Sequence, residues 1–286
     1  MNRPAGEIGV DMAKVFTVDI AKCNGCYNCQ LACKDEHADN DWRPYAAPQP
    51  EIGHFWTKLH EHVGGTIPKV RMHYVPHLCN HCENPTCAAA CKSGAYYRRD
   101  DGLLILDPAK CIGCRECEKA CPYAAIYYNE AHGICQKCTG CAHLLDNGHK
   151  LPRCVDACPT DALAFGEEED LQDFINGADV MLPETASRPR VYYRNKPGRF
   201  IGGTIFNPIE QDVIEGAKVR ATIGGKTYQV LTDDFGDFWF NDVPPGKYTV
   251  VIEAKGFEVR VFDEVDATDP ENYGVNIGDI PLDAKK

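Results

Sequence analysis

The chain has 286 residues, enough for two domains, and its 44% hydrophobic and 25% charged residues are those of an ordinary globular protein. A net charge of −12 argues against a nucleic-acid binder, whose partner's phosphates call for a basic surface. No apolar run of about 18 residues is present to span a membrane.

Residues 1–14 hold no apolar stretch flanked by basic residues and no twin arginine, so no signal peptide is expected. Met12 is read as an alternative start that leaves residues 1–11 as a disordered leader. On this reading the chain is cytoplasmic, or periplasmic if a partner carrying the signal exports both. Alternation from Val15 to Ile20 predicts a strand. The first of four cysteine runs follows it: Cys23, Cys26, Cys29 and Cys33. Residues 34–78, rich in Pro, His and aromatics including Trp42, Phe55 and Trp56, are expected to be a long interface loop. The second run is Cys79, Cys82, Cys87 and Cys91, and Ala95–Tyr97 is expected to be a strand. Leu103–Leu106 predicts a strand before the third run, Cys111, Cys114, Cys117 and Cys121, which ends in Cys-Pro. Strands are expected at Ala125–Tyr128 and, after the fourth run (Cys138, Cys141, Cys154 and Cys158), at Ala162–Phe165.

Residues 18–33 and 106–121 form an internal repeat, identical at nine of sixteen positions, including every cysteine and the Gly before the second one. The first domain is therefore expected to span residues 1–185, with 186–199 as a linker. Residues 200–286 contain no cysteine. Short alternating segments at 217–223, 226–232, 237–241, 247–254 and 257–262, separated by Gly- and Pro-rich turns, predict an antiparallel β-sandwich. The fold class is α+β: two bacterial-ferredoxin-like modules with a long insertion, then an all-β sandwich.

Seventeen cysteines, all between Cys23 and Cys158, decide the chemistry. Disulfides suit short secreted chains, and this chain shows no secretion signal. Three cysteines at two-residue gaps let one tight loop take three corners of a cubane, while a fourth one helical turn on ligates the other cluster of a pair. That crowding does not suit a tetrahedral zinc site. Sixteen cysteines thus imply four [4Fe–4S] clusters. Cys135, left over, is assigned to packing. His77 and His81 beside the second run are assigned to hydrogen bonding or an interface rather than to ligation. Asp233, Asp234 and Asp237 read as hairpin-turn residues rather than a calcium loop. Lys22, Lys110, Arg115 and Lys137 are read as tuning cluster potential. No phosphate loop or nucleophile elbow is present, so no catalytic residue is assigned.

Four runs in this order, the last split by a long gap, resemble the iron–sulfur β-subunits of molybdopterin oxidoreductases of the dimethyl-sulfoxide-reductase family, over residues 15–165. The resemblance implies pairing of runs one with four and two with three. Cys23, Cys26 and Cys29 would join Cys158, and Cys138, Cys141 and Cys154 would join Cys33. Likewise Cys79, Cys82 and Cys87 would join Cys121, and Cys111, Cys114 and Cys117 would join Cys91. It also implies a large catalytic partner holding a molybdenum or tungsten bis-pterin, and an external electron donor or acceptor.

Within the family, Lys137–Asp146, Leu151–Cys154 and Arg188–Tyr193, together with the sandwich of carboxypeptidase-regulatory or Cna-B type, resemble the small subunits of pyrogallol–phloroglucinol transhydroxylase. Subunits of that type lack part of the third run, which is complete here. The resemblance with a full wire implies a net redox reaction on polyhydroxylated aromatics. Three other readings stand beside it: a subunit of an arsenate, polysulfide or tetrathionate-type reductase, a free polyferredoxin, and a zinc-stapled adaptor.

Overall fold

A computed structural model describes residues 13–270 and 272–285. The expectations about residues 1–11 and Met12 fall outside them. The chain divides into two compact units, one ending at Lys196 that leaves out Glu61–His73, the other made of Glu61–His73 and Pro197–Lys286.

In the first unit each cysteine run is bracketed by short strands. Strand β1 (Lys14–Asp19) buries Val15, Phe16, Thr17 and Val18, then a 3-10 turn leads into the first run and helix α1 (Asn28–His37). The expected interface loop at 34–78 instead contains a hairpin, β2 (Thr57–Thr66) and β3 (Lys69–Leu78). Its His- and Gly-rich composition hid a strand pair whose burial is patchy. Helix α2 (Thr86–Ala89), strands β4 (Tyr96–Arg98) and β5 (Leu104–Leu106), and helix α3 (Glu116–Ala120) follow. Next come β6 (Ile126–Asn129), β7 (Ile134–Lys137), α4 (Ala142–Asp146), α5 (Arg153–Asp156) and β8 (Leu163–Glu167). Helix α6 (Gln172–Ile175) precedes β9 (Val191–Arg194), which lies inside the segment read as a linker.

Three pairings position the runs. β1 lies between β8, antiparallel, and β9, parallel. β4 pairs with β5 and β6 with β7 as antiparallel hairpins. The first pairing returns the chain beside the first run as it leaves the fourth. The second sets the end of run two against the start of run three.

In the second unit, β10 (Phe200–Asn207), β11 (Asp212–Val213), β14 (Asp237–Phe240) and β17 (Gly274–Pro281) form one sheet, with β17 parallel to β10. The other sheet runs β13-β12-β15-β16, from β12 (Lys218–Ile223), β13 (Lys226–Leu231), β15 (Lys247–Glu253) and β16 (Arg260–Asp266). The strand expected at 257–262 is thus shifted toward the C-terminus, and the sandwich includes a parallel pair, β10 with β17. Ile201, Ile205, Val219, Phe238, Phe240, Tyr248, Val250 and Ile252 fill the core. The hairpin tip belongs to this unit. Arg71 stacks on Trp239 at 4.4 Å, Lys69 forms an ion pair with Asp237, and the Tyr273 hydroxyl donates to the Arg71 carbonyl at 2.7 Å.

Candidate metal centre

Backbone shape sets the loops. Gly25, Gly113 and Gly140, each just before the second cysteine of its run, have φ of 76°, 69° and 62°. Each points its N–H back at the sulfur two residues earlier, and the Gly140 bond to Cys138 Sγ measures 3.3 Å. A side chain is excluded there, because a Cβ on Gly113 would stand 2.3 Å from the Gly133 carbonyl oxygen. Left-handed residues then start the helices: Tyr27 before α1, Arg115 before α3 and Cys141 before α4. Such turns make concave nests of N–H groups that suit anions, iron–sulfur clusters among them. More donors reach other sulfurs, from Ala95 N–H to Cys91 at 3.4 Å and from Cys135 N–H to Cys111 at 3.4 Å.

The folded chain brings the cysteines together in sets. Cys23, Cys26, Cys29 and Cys158 line one recess and act on one another electrostatically. Cys33, on α1, meets Cys138, Cys141 and Cys154 where α1 packs on α5. Cys79, Cys82, Cys87 and Cys121 form a third group. Cys111 and Cys117 stand together, joined by Cys135; Cys91 lies in the same apolar cluster, and Cys114 is half-buried.

Burial dominates the thiol chemistry. It pushes Cys29, Cys82, Cys87 and Cys138 up to about 12. Such groups stay neutral thiols unless a metal that requires thiolates draws the proton off. Cys111 and Cys117 go the other way, down from the ordinary thiol value, chiefly because the single Cys135 thiol proton has both sulfurs within hydrogen-bonding reach. Sequence reasoning placed Cys135 in packing. It is buried, but against two sulfurs, and all four residues of β7 are buried, so no alternation marked its direction.

The surroundings fit clusters. Buried polar atoms left without a hydrogen-bond partner gather beside the cysteines: both amide atoms of Asn80, Nε2 of His81, the Thr139 hydroxyl and Nδ1 of His143. The His81 Nδ1 accepts from the Leu104 N–H at 3.1 Å, which leaves its proton on the partnerless Nε2. Of these, the Asn80 amide N–H, the His81 Nε2–H and the Thr139 hydroxyl are donors, and cluster sulfides are acceptors that would suit them. Thiolates around a cubane stand farther apart than thiolates on one ion. Among the described residues no three His, Cys, Asp or Glu side chains converge as a single-ion site. His77 faces His60, Nδ1 to Nε2 at 3.4 Å, and burial holds it neutral, near 4.

Together, the ferredoxin-like hairpins, grouped thiols and N–H nests define an iron–sulfur protein. The family model for a 4Fe-4S dicluster domain matches residues 70–168, and that for a carboxypeptidase regulatory-like domain matches 201–278. The pyrogallol hydroxytransferase small subunit of Pelobacter acidigallici is 38% identical over 258 residues, 84% of this chain and 90% of that one. The B subunit of the anaerobic dimethyl sulfoxide reductase of Escherichia coli is 39% identical, over 55% of this chain and 75% of that one. The arsenate respiratory reductase iron–sulfur subunit of a Shewanella strain is 30% identical, over 62% and 94%. The chain belongs to the family of iron–sulfur electron-transfer subunits of molybdopterin oxidoreductases that includes the pyrogallol hydroxytransferase small subunit.

Proposed function

We propose that this chain holds four [4Fe–4S] clusters in series and relays electrons to or from a large molybdenum or tungsten bis-pterin subunit that acts on polyhydroxylated aromatics. The observation that carries the reading is that successive cysteine sets share buried clusters, Cys29, Cys33, Cys79, Cys138 and Cys154 in one and Cys87 and Cys117 in another. Cys29 of the first set and Cys154 of the second feel each other's charge, as do Cys138 of the second and Cys79 of the third. Tyr96 stands beside Cys87 and Cys79 of the third set and Cys117 of the fourth. Exposure follows the same order. The second set is fully buried, whereas Cys26 in the first is exposed and Cys91, Cys111 and Cys114 in the fourth are half-buried. The ends of the series are therefore the places for electrons to enter and leave.

When bound, such clusters supply one-electron carriage at potentials set by hydrogen bonding, charge and solvent exposure. The protein's part is to exclude water from the inner sets and to aim N–H groups at the sulfurs. Two features favour an aromatic substrate in the partner. The likeness to the pyrogallol hydroxytransferase small subunit covers 84% of this chain and so reaches into the sandwich, while the match to the dimethyl sulfoxide reductase subunit spans about half of this chain. The complete third run supports net electron flow.

Iron and sulfide analysis with EPR of the anaerobically purified, reduced chain tests the count. About sixteen irons with interacting signals are expected, and about twelve would remove the fourth set from the wire. Co-purification of an untagged large subunit tests the partner, and its oxidation or reduction of polyhydroxylated phenols tests the substrate class. A stable lone monomer counts against the complex.

A further inference from the structure

The interior of the first unit holds a cation that no carboxylate of the described residues accompanies. Lys137, the last residue of β7, is 2% exposed. Its ammonium donates to the Leu104 carbonyl at 2.5 Å and the Cys138 carbonyl at 2.8 Å. Among the described residues no Asp or Glu pairs with it. Lys22, Lys110 and Arg115 are all exposed, and the last two pair with Asp107 and Glu118.

Burying an ion without a counter-ion is costly, and two carbonyl dipoles offset only part of that cost. The missing negative charge has to come from what the site binds. Leu104, whose carbonyl holds the ammonium, packs in one buried cluster with Cys87 and Cys121 of the third set, and the other carbonyl belongs to Cys138 of the second; the ammonium favours the ionised form of all three sulfurs. It therefore stands where the two inner sets meet.

We propose that Lys137 is the shared counter-ion of the two inner clusters, those held by Cys33, Cys138, Cys141 and Cys154 and by Cys79, Cys82, Cys87 and Cys121, and that it raises both of their potentials together. The proposal rests on the four-cluster reading. A cluster with four thiolates is anionic, and one added electron deepens its charge by one unit. A fixed cation at the junction stabilises the reduced form of either cluster. With both potentials raised by the same charge, neither inner cluster becomes a trap for the electron. Lys137 acts through the clusters and is a positioning residue, not a catalytic one.

The test is an anaerobic redox titration of the holo-protein followed by EPR, on wild type, Lys137→Met and Lys137→Arg. The inner signals are assigned by their change in Cys154→Ser and Cys79→Ser. In Lys137→Met both inner clusters should become at least tenfold harder to reduce, a 59 mV fall for one electron. The outer two should hold their potentials, and Lys137→Arg should stay near wild type. Four clusters with unmoved inner potentials overturn the role of Lys137 and leave the wire intact. A wild-type chain lacking an inner cluster overturns the four-cluster reading itself. Should the Met variant fail to assemble, pulsed EPR of reduced, 15N-lysine-labelled wild type decides. Nitrogen coupling on both inner signals is expected, and its absence overturns the proposal.

Discussion

Cys135 lies against two sulfurs that the proposed wire would use, and its single thiol proton has Cys111 and Cys117 as acceptors. A hydrogen bond to a ligating sulfur favours the reduced cluster by drawing charge from it. Cys135→Ala should therefore lower the potential of that cluster by tens of millivolts, from a bond worth about 1 kcal/mol. Cys135→Ser, which keeps a donor, should lower it less, and both variants should retain full iron. Redox titration of the fourth signal checks this, and loss of iron would make Cys135 a ligand instead. At this scale the sequence marked sixteen cysteines through their spacing, and the fold groups Cys23, Cys26, Cys29 and Cys158 in one recess. The environment of Cys135 was not legible, because it depends on pairing of β6 with β7, which brings a strand back onto the third run.

Elements show the same division. The strands at Leu104–Leu106 and Ile126–Asn129 were readable because apolar and β-branched residues cluster between turn residues. Strand β9 was not, because Arg188-Pro189-Arg190 reads as a linker, and it takes the parallel edge of β1, with a bridge from Asp179 to Tyr193 on the other side, to give Val191–Arg194 a place to pair. The glycine before the second cysteine is the element-scale determinant of the first, third and fourth loops, and His81, with φ of 43°, takes that place in the second. Gly113→Ala would combine a left-handed backbone with a backbone clash against the Gly133 carbonyl. Strain of this kind costs about 1–3 kcal/mol before the clash is added. The expected result is loss of the cluster at Cys111, read as about four irons fewer per chain by metal analysis, with the first set intact by EPR.

Across the whole molecule, the second unit depends on a segment drawn from the middle of the chain. Lys69 on the hairpin tip pairs with Asp237 in a half-enclosed setting, with side-chain exposures of 7% and 22%. Removing one member of an enclosed pair strands the other, at roughly 3 kcal/mol. Lys69→Ala should lower the sandwich melting transition by roughly 10 °C, read by circular dichroism, while cluster absorbance at low temperature is unchanged. The hairpin tip also carries a consequence for synthesis on the ribosome. Glu61–His73 is made about 120 residues before Pro197. At about 5–20 residues per second, the tip waits roughly 6–25 s for the first of its partner strands. During that interval Lys69 and His73, both buried in the finished unit, lack their cover, and the last cysteine run is completed before the tip has its partner strands. The order of synthesis thus separates completion of the cysteine runs from closure of the sandwich.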